Sequence, residues 1–147
     1  MACTGRYATA AEYDDLLGAQ LELTDPAVLL AVETALDIAA SDVHMALAAV
    51  GACNCTLAAW AVVYLKKLNI IDAAVIQNAP CGQALTDDQK KMFLEWINGQ
   101  LDLIRKGKIE VCDSETGADY PAVGIAQIAW TEWWDAEIRR STILRTP

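Results

Sequence analysis

Apolar residues recur along the first two-thirds of the chain at steps of three and four, the spacing that puts side chains on one face of a helix. Thr9-Ala10-Ala11-Glu12 has the form of a capping box, which predicts a short helix running to Leu17 and stopping at Gly18. Thr24-Asp25-Pro26 then sets an N-cap acid before a proline at the first helical position, where a missing N–H has no partner to lose. Val28, Val32, Leu36, Ala39, Val43, Leu47 and Val50 form the buried stripe of a long second helix that ends at Gly51, with Glu33, Asp37, Ser41 and His44 on a wet face. A third helix, beginning near Thr56, carries Leu57, Trp60, Tyr64, Leu68, Ile71 and Val75 on one stripe, while Val62, Val63 and Ile70 make its other faces apolar too. A helix apolar all round in a domain this small is either central or in contact with a neighbouring subunit. Thr86-Asp87-Asp88-Gln89 is a second capping box, and Phe93, Ile97, Leu101 and Ile104 face away from Asp88, Glu95, Asn98 and Asp102 until Gly107 closes the fourth helix.

Beyond Gly107 the periodicity is lost. Lys108 to Cys112 reads as a short strand, Asp113 to Tyr120 is turn-rich, and Pro121 to Trp130 mixes glycine, valine and isoleucine without helical caps. The expected fold is therefore all-α: a small bundle of about four helices over residues 1–107, followed by an extended C-terminal arm over 108–147 with a short β segment near 108–112. A chain of 147 residues can bury a core without disulfides or metal. No window reaches the roughly 18 uninterrupted apolar residues of a membrane span. The N-terminus MACTGRYATAAEYDD lacks an apolar segment of signal-peptide length, so the expectation is a protein that stays in the cytoplasm where it is made. Five cysteines, Cys3, Cys53, Cys55, Cys81 and Cys112, are odd in number and scattered, which predicts reduced thiols rather than a disulfide framework.

Charge changes the picture at the far end. The formal net charge of −9 divides into −12 over residues 1–138 and +3 over residues 139–147. An acidic body gains nothing from phosphate neutralisation, so DNA binding is disfavoured, although DNA could pass such a surface without adhering. The last stretch, TEWWDAEIRRSTILRTP, concentrates Trp133, Trp134, Arg139, Arg140 and Arg145, residue types that anchor protein interfaces. Two readings stand: an arm that docks on a partner, or a final amphipathic helix from Thr131 to Arg140 that packs Trp130, Trp134 and Ile138 on its own body.

Reactive chemistry is sparse. Cys53-Asn54-Cys55 has thiolate ligands but not the two-residue gap of common zinc sites, and no histidine or second pair completes four ligands. Asp37, Ser41 and His44 would lie in a row on one helix without an oxyanion hole, which favours a solvated face over a triad. Asp87-Asp88 sits at a helix start, where capping explains it. No phosphate loop, nucleophile elbow or His-Glu-x-x-His pattern occurs, so neither an enzyme nor a cofactor or metal site is expected.

The order of these segments, YATAAEYDDLLG, DPAVLLAVETALDIAASDVHMAL, CTLAAWAVVYLKKLN and TDDQKKMFLEWINGQLDLIRKG followed by an extended terminus, resembles the head-to-tail adaptor (connector) proteins of long-tailed double-stranded DNA bacteriophages. The likeness spans residues 7 to about 112 and rests on architecture, with the CNC turn and the tryptophan-rich terminus as departures. It implies a virion protein that forms a ring, commonly dodecameric, beneath the portal, continues the DNA channel, and meets a stopper or tail-completion protein. It further implies that the C-terminal segment packs on the portal through Trp133, Trp134, Arg139, Arg140 and Arg145, and that Val63 and Ile70 are candidates for the contact between subunits. The rival expectation is a small cytoplasmic helical binding or regulatory protein whose tail closes its own core.

Overall fold

A computed structural model describes residues 2–77 and 86–113, which fall within one unit, Met1–Asp113. Four helices follow in order: α1 (Ala10–Leu17), α2 (Pro26–Ala49), α3 (Ala59–Ile76) and α4 (Asp87–Arg105). The all-α expectation holds, because local sequence dictates most of the boundaries. Thr9 accepts from the Glu12 N–H while Glu12 accepts from the Thr9 N–H, and Gly18 closes α1 in the left-handed region at φ 59°. Asp25 caps α2 through the Ala27 N–H with Pro26 at the first turn, and Thr86 and Gln89 repeat the reciprocal cap on α4.

The predicted stripe of α2 is buried at Val32, Leu36, Ala39, Val43 and Leu47, and that of α4 at Phe93, Ile97, Leu101 and Ile104. α3 lies between them, packing on both α2 and α4, and ten consecutive or near-consecutive positions from Ala61 to Ala74 are buried. The alternative of a central helix is thus the one the fold adopts over most of the length of α3. α1 lies against α2, with Ala10 and Tyr13 in one cluster with Val32, Leu36, Ile70 and Ala73. Ile70 is 2% exposed, so a residue assigned from the sequence to a subunit contact is instead part of the core of the single chain.

The segment after α4 differs from expectation. Among the described residues it forms no strand, only an isolated antiparallel bridge between Leu57 and Cys112, flanked by Ala58 N–H to Val111 O (2.9 Å) and Asp113 N–H to Thr56 O (2.7 Å). A two-residue pairing has too few ladder bonds to count as a strand. Ile109 and Val111 are buried, so residues 108–113, assigned by pattern to the arm, belong to the body.

The cysteines overturn the expectation of free thiols. Cys3 is bonded to Cys53, and Cys55 to Cys112, across separations of 50 and 57 residues. Short-range spacing carries no signal of such pairs, because each joins the turn between α2 and α3 to a residue at least 50 positions away.

Candidate functional site

The outward side of α2 is the least expected surface. Leu30 (65% exposed), Ile38 (48%) and Met45 (58%) stand open to solvent. At 100° per residue they fall, with Thr34 and Ser41, inside an arc of roughly 80° and over a length of roughly 22 Å. The Thr34 hydroxyl donates to the Leu30 carbonyl at 2.7 Å, so it offers little polarity to a partner. α2 is therefore apolar on two sides, and large open aliphatics aligned this way mark a contact surface more often than chance exposure does. Along one edge the stripe drops into a shallow groove of about 430 Å³ lined by Ala27, Ala31, Ile76 and Gln77. Along the other, Arg6 bridges Glu33 (3.2 Å) and Asp37 (3.0 Å), closing off the charged face.

A second apolar patch lies on α3, where Val62 and Val63 (51% exposed) face outward at the start of the helix. Val63 and Ile70 line a groove of about 350 Å³ with Leu16, beneath a rim of Glu12, Asp15, Lys66 and Lys67. Lys66 donates to Glu12 at 2.6 Å, and that bond, with the Thr9 N–H, holds the Glu12 carboxyl below the usual range. Of the two residues expected at a subunit contact, Val63 presents area and Ile70 forms only the floor of this groove.

The N-terminal segment is clamped over the α2–α3 seam by one fully buried amide. Asn69 Oδ1 accepts from the N–H groups of Tyr7 (3.1 Å) and Ala8 (3.2 Å), and its Nδ2 donates to the Leu36 carbonyl (2.9 Å). The Tyr7 hydroxyl donates to Ala2 O at 2.6 Å, and burial pushes its pKa up to about 12. The Tyr7 ring meets His44 edge-on with ring centres 5.5 Å apart, so His44 is half-buried under this segment rather than on a solvated face. Asp37 is committed to Arg6, which leaves no Ser-His-Asp relay.

Deeper in the same seam Asp72, 6% exposed, lies beside Asp42 of α2. Burial first, then the bond to Asp42 and its charge, push the Asp72 carboxyl up to about 7. Among the described residues Asp72 Oδ2 finds no hydrogen-bond partner. A buried acid held neutral this way can donate a proton to its neighbour, but no third ligand joins the pair, and among the described residues no group of three acids, cysteines or histidines could hold a metal ion. With all four described cysteines in disulfides, the CNC turn has no thiolate to offer a metal. Among the described residues no helix is long and apolar enough to cross a membrane.

Trp133, Trp134, Arg139, Arg140 and Arg145, the set expected to dock on a partner, lie outside the described residues. The open face of α2, the Asn69 clasp, the carboxyl pair and the disulfides were all missed from sequence. Only the first carried a local signal, in the spacing of Leu30, Ile38 and Met45. Comparison of the chain with protein-family models, with curated proteins and with solved structures gave no match in any of the three.

Proposed function

We propose that the chain is a virion structural protein, a head-tail adaptor that assembles as a cyclic ring beneath a phage portal, extends the DNA channel, and joins the capsid to a stopper or tail-completion protein. The observation that carries this reading is the second apolar face of α2, open at Leu30, Ile38 and Met45. A ring needs two different patches on each subunit, one for each neighbour. Val62 and Val63 on α3 supply a second patch of the right chemistry, so α2 of one subunit meets the start of α3 in the next. Net negative charge on the body suits a channel along which DNA slides without adhering. The tryptophans and arginines of the last seventeen residues, Thr131 to Pro147, dock on the portal, with Arg139, Arg140 and Arg145 setting register against acidic groups.

The disulfides favour a second reading, a disulfide-clamped helical binding protein that works in an oxidising setting, since such bonds persist there and not in a reducing cytosol. Two measurements separate the readings. In mass photometry with and without portal-bearing capsids, the full chain forms a ring or a capsid complex, and Leu30→Glu with Ile38→Glu abolishes the ring while leaving the melting temperature within a few degrees. A chain truncated after Tyr120 stays folded and no longer joins the portal. A full chain that remains a monomer in both conditions, or a truncated chain that docks with unchanged affinity, removes the adaptor reading. Limited proteolysis cleaves between Gly117 and Pro121 if the terminal segment is a free arm, and spares it if that segment closes its own globule.

A further inference from the structure

Both disulfides end on one turn. Cys53-Asn54-Cys55, between α2 and α3, holds Cys3 on one side and Cys112 on the other, so a single three-residue stretch is bonded to both ends of the described body. All four sulfurs sit in half-buried residues and Asn54 is exposed, which leaves the turn open to small thiols and disulfides. We propose that this turn is a redox latch, closed in an oxidising setting and open in a reducing one, that tightens or frees the two ends of the described body without unmaking the helical core.

Two observations separate a latch from a staple on which folding depends. The core is built on the helices, with Leu36, Leu47, Leu65, Leu68, Ile71, Ile97 and Ile104 of α2, α3 and α4 fully buried, and a chain of this size can fold around such a core without disulfides. Non-covalent contacts also hold each cysteine near its partner. Cys3 N–H donates to Cys53 O at 3.3 Å, Tyr7 and Ala8 are clasped by Asn69, and the Leu57–Cys112 bridge is flanked by bonds at 2.9 and 2.7 Å. In the reduced chain these contacts keep the thiols poised for closure while permitting the ends to open. The second cystine lies just before Asp113, so its closure fixes the point from which the chain continues into residues 114–147.

The chemistry is thiol–disulfide exchange with a small disulfide of the glutathione class. A cysteine thiolate attacks the oxidant, one glutathione thiolate leaves, and the second cysteine displaces the other from the mixed disulfide. One S–S bond forms in the protein for each one broken in the oxidant. Two protein thiols are oxidised and two glutathione thiols released, their protons passing to the leaving thiolates.

The test uses the full chain carrying Cys81→Ser, equilibrated in reduced or oxidised glutathione, with cross-linked peptides identified by mass spectrometry and opening read by amide hydrogen exchange. Closure gives peptides joined as Cys3–Cys53 and Cys55–Cys112. On reduction, residues 2–8 and 108–113 exchange on the order of ten- to a hundredfold faster, while α2, α3 and α4 keep their protection. Cys3→Ser with Cys53→Ser loosens only the first segment under oxidising conditions, and Cys55→Ser with Cys112→Ser only the second. The proposal is overturned if the ends exchange equally fast in both buffers, if protection collapses throughout the helices on reduction, or if the linked peptides join other pairs. None of these readouts needs a portal, so failure here and failure of the adaptor reading are distinct results.

Discussion

Replacing Asn69 with alanine tests the seam directly. The side chain is fully buried and makes three hydrogen bonds, accepting from Tyr7 and Ala8 and donating to Leu36 O. Truncation leaves the Ala8 N–H, a buried donor, without a partner, and does the same to the Tyr7 N–H, which is only partly buried. A stranded buried donor costs about 1–3 kcal/mol, the half-wet one less, and the loss of the amide volume adds a small cavity term. The Leu36 carbonyl, inside α2, has helical bonding to fall back on and adds little. The sum is about 3 kcal/mol, or roughly 10 °C in melting temperature for a body of this size. Urea unfolding of the oxidised and reduced protein measures it, with hydrogen exchange at Tyr7 and Ala8 as the local readout. Asn69→Asp is the control: it keeps the oxygen that accepts from Tyr7 and Ala8 but replaces the donor to Leu36 O with a second acceptor and buries a charge, so it retains protection at Tyr7 and Ala8 while costing stability. A loss below about 0.5 kcal/mol in Asn69→Ala, the noise of a surface change, with unchanged exchange at Tyr7 and Ala8, refutes the clasp.

Three further outcomes are expected. Asp72 has a folded pKa raised to about 7 from an ordinary 3.8, so the unfolded chain releases its proton first and stability falls as pH rises from about 4 to about 7, then levels; the slope approaches 1.4 kcal/mol per pH unit at its steepest. Asp72→Asn flattens that stretch of the urea midpoint against pH and is more stable than the parent at pH 7, and an unchanged slope in the variant refutes the assignment. Tyr64→Phe removes the hydroxyl that donates to Gln100 Oε1 at 2.8 Å across the α3–α4 contact and lowers stability by about 1 kcal/mol, measured by chemical denaturation. Lys66→Met breaks the Glu12 ion pair, but both side chains are more than a third exposed, so the loss stays under about 1 kcal/mol and shrinks further in high salt.

What the sequence disclosed and what it hid divide along the range of the interactions. The caps at Thr9, Asp25 and Thr86 and the stops near Gly18, Gly51 and Gly107 depend on residues within one helical turn, and each appears where local spacing places it. The stripes of α2 and α4 were legible because 3.6-residue periodicity reports a buried face whatever covers it. A second face on the same helix gives a weaker periodic signal, and so the open stripe at Leu30, Ile38 and Met45 was concealed behind the stronger inner one. Asn69 and Asp72, polar residues in an apolar run, gave no sign of their partners, which lie 33 or more residues away for Asn69 and on another helix for Asp72. Ile70 was misassigned for the converse reason: its apolar surface is covered within the chain by Ala10, Tyr13, Val32 and Leu36, while Val62 and Val63 on the same helix stay exposed.

The central helix shows how these distant contacts fit together. α3 has no side-chain cap at Ala58, and a helix start without one leaves backbone donors unmet. The segment after α4 comes to that end instead: Ala58 N–H donates to Val111 O, Leu57 bridges Cys112, and Cys55 is bonded to the same cysteine. Further along α3, Asn69 is met by the N-terminal segment at Tyr7 and Ala8. The helix that the sequence makes apolar on more than one side is thus closed over by both ends of the body, at two separate points. Loosening one point removes donors or acceptors only there, while the layered contacts of α3 with α2 and α4 remain. Damage at either clasp is therefore local by construction, and the double variant Asn69→Ala with Cys55→Ser should lose close to the sum of the two single losses, as separated sites do.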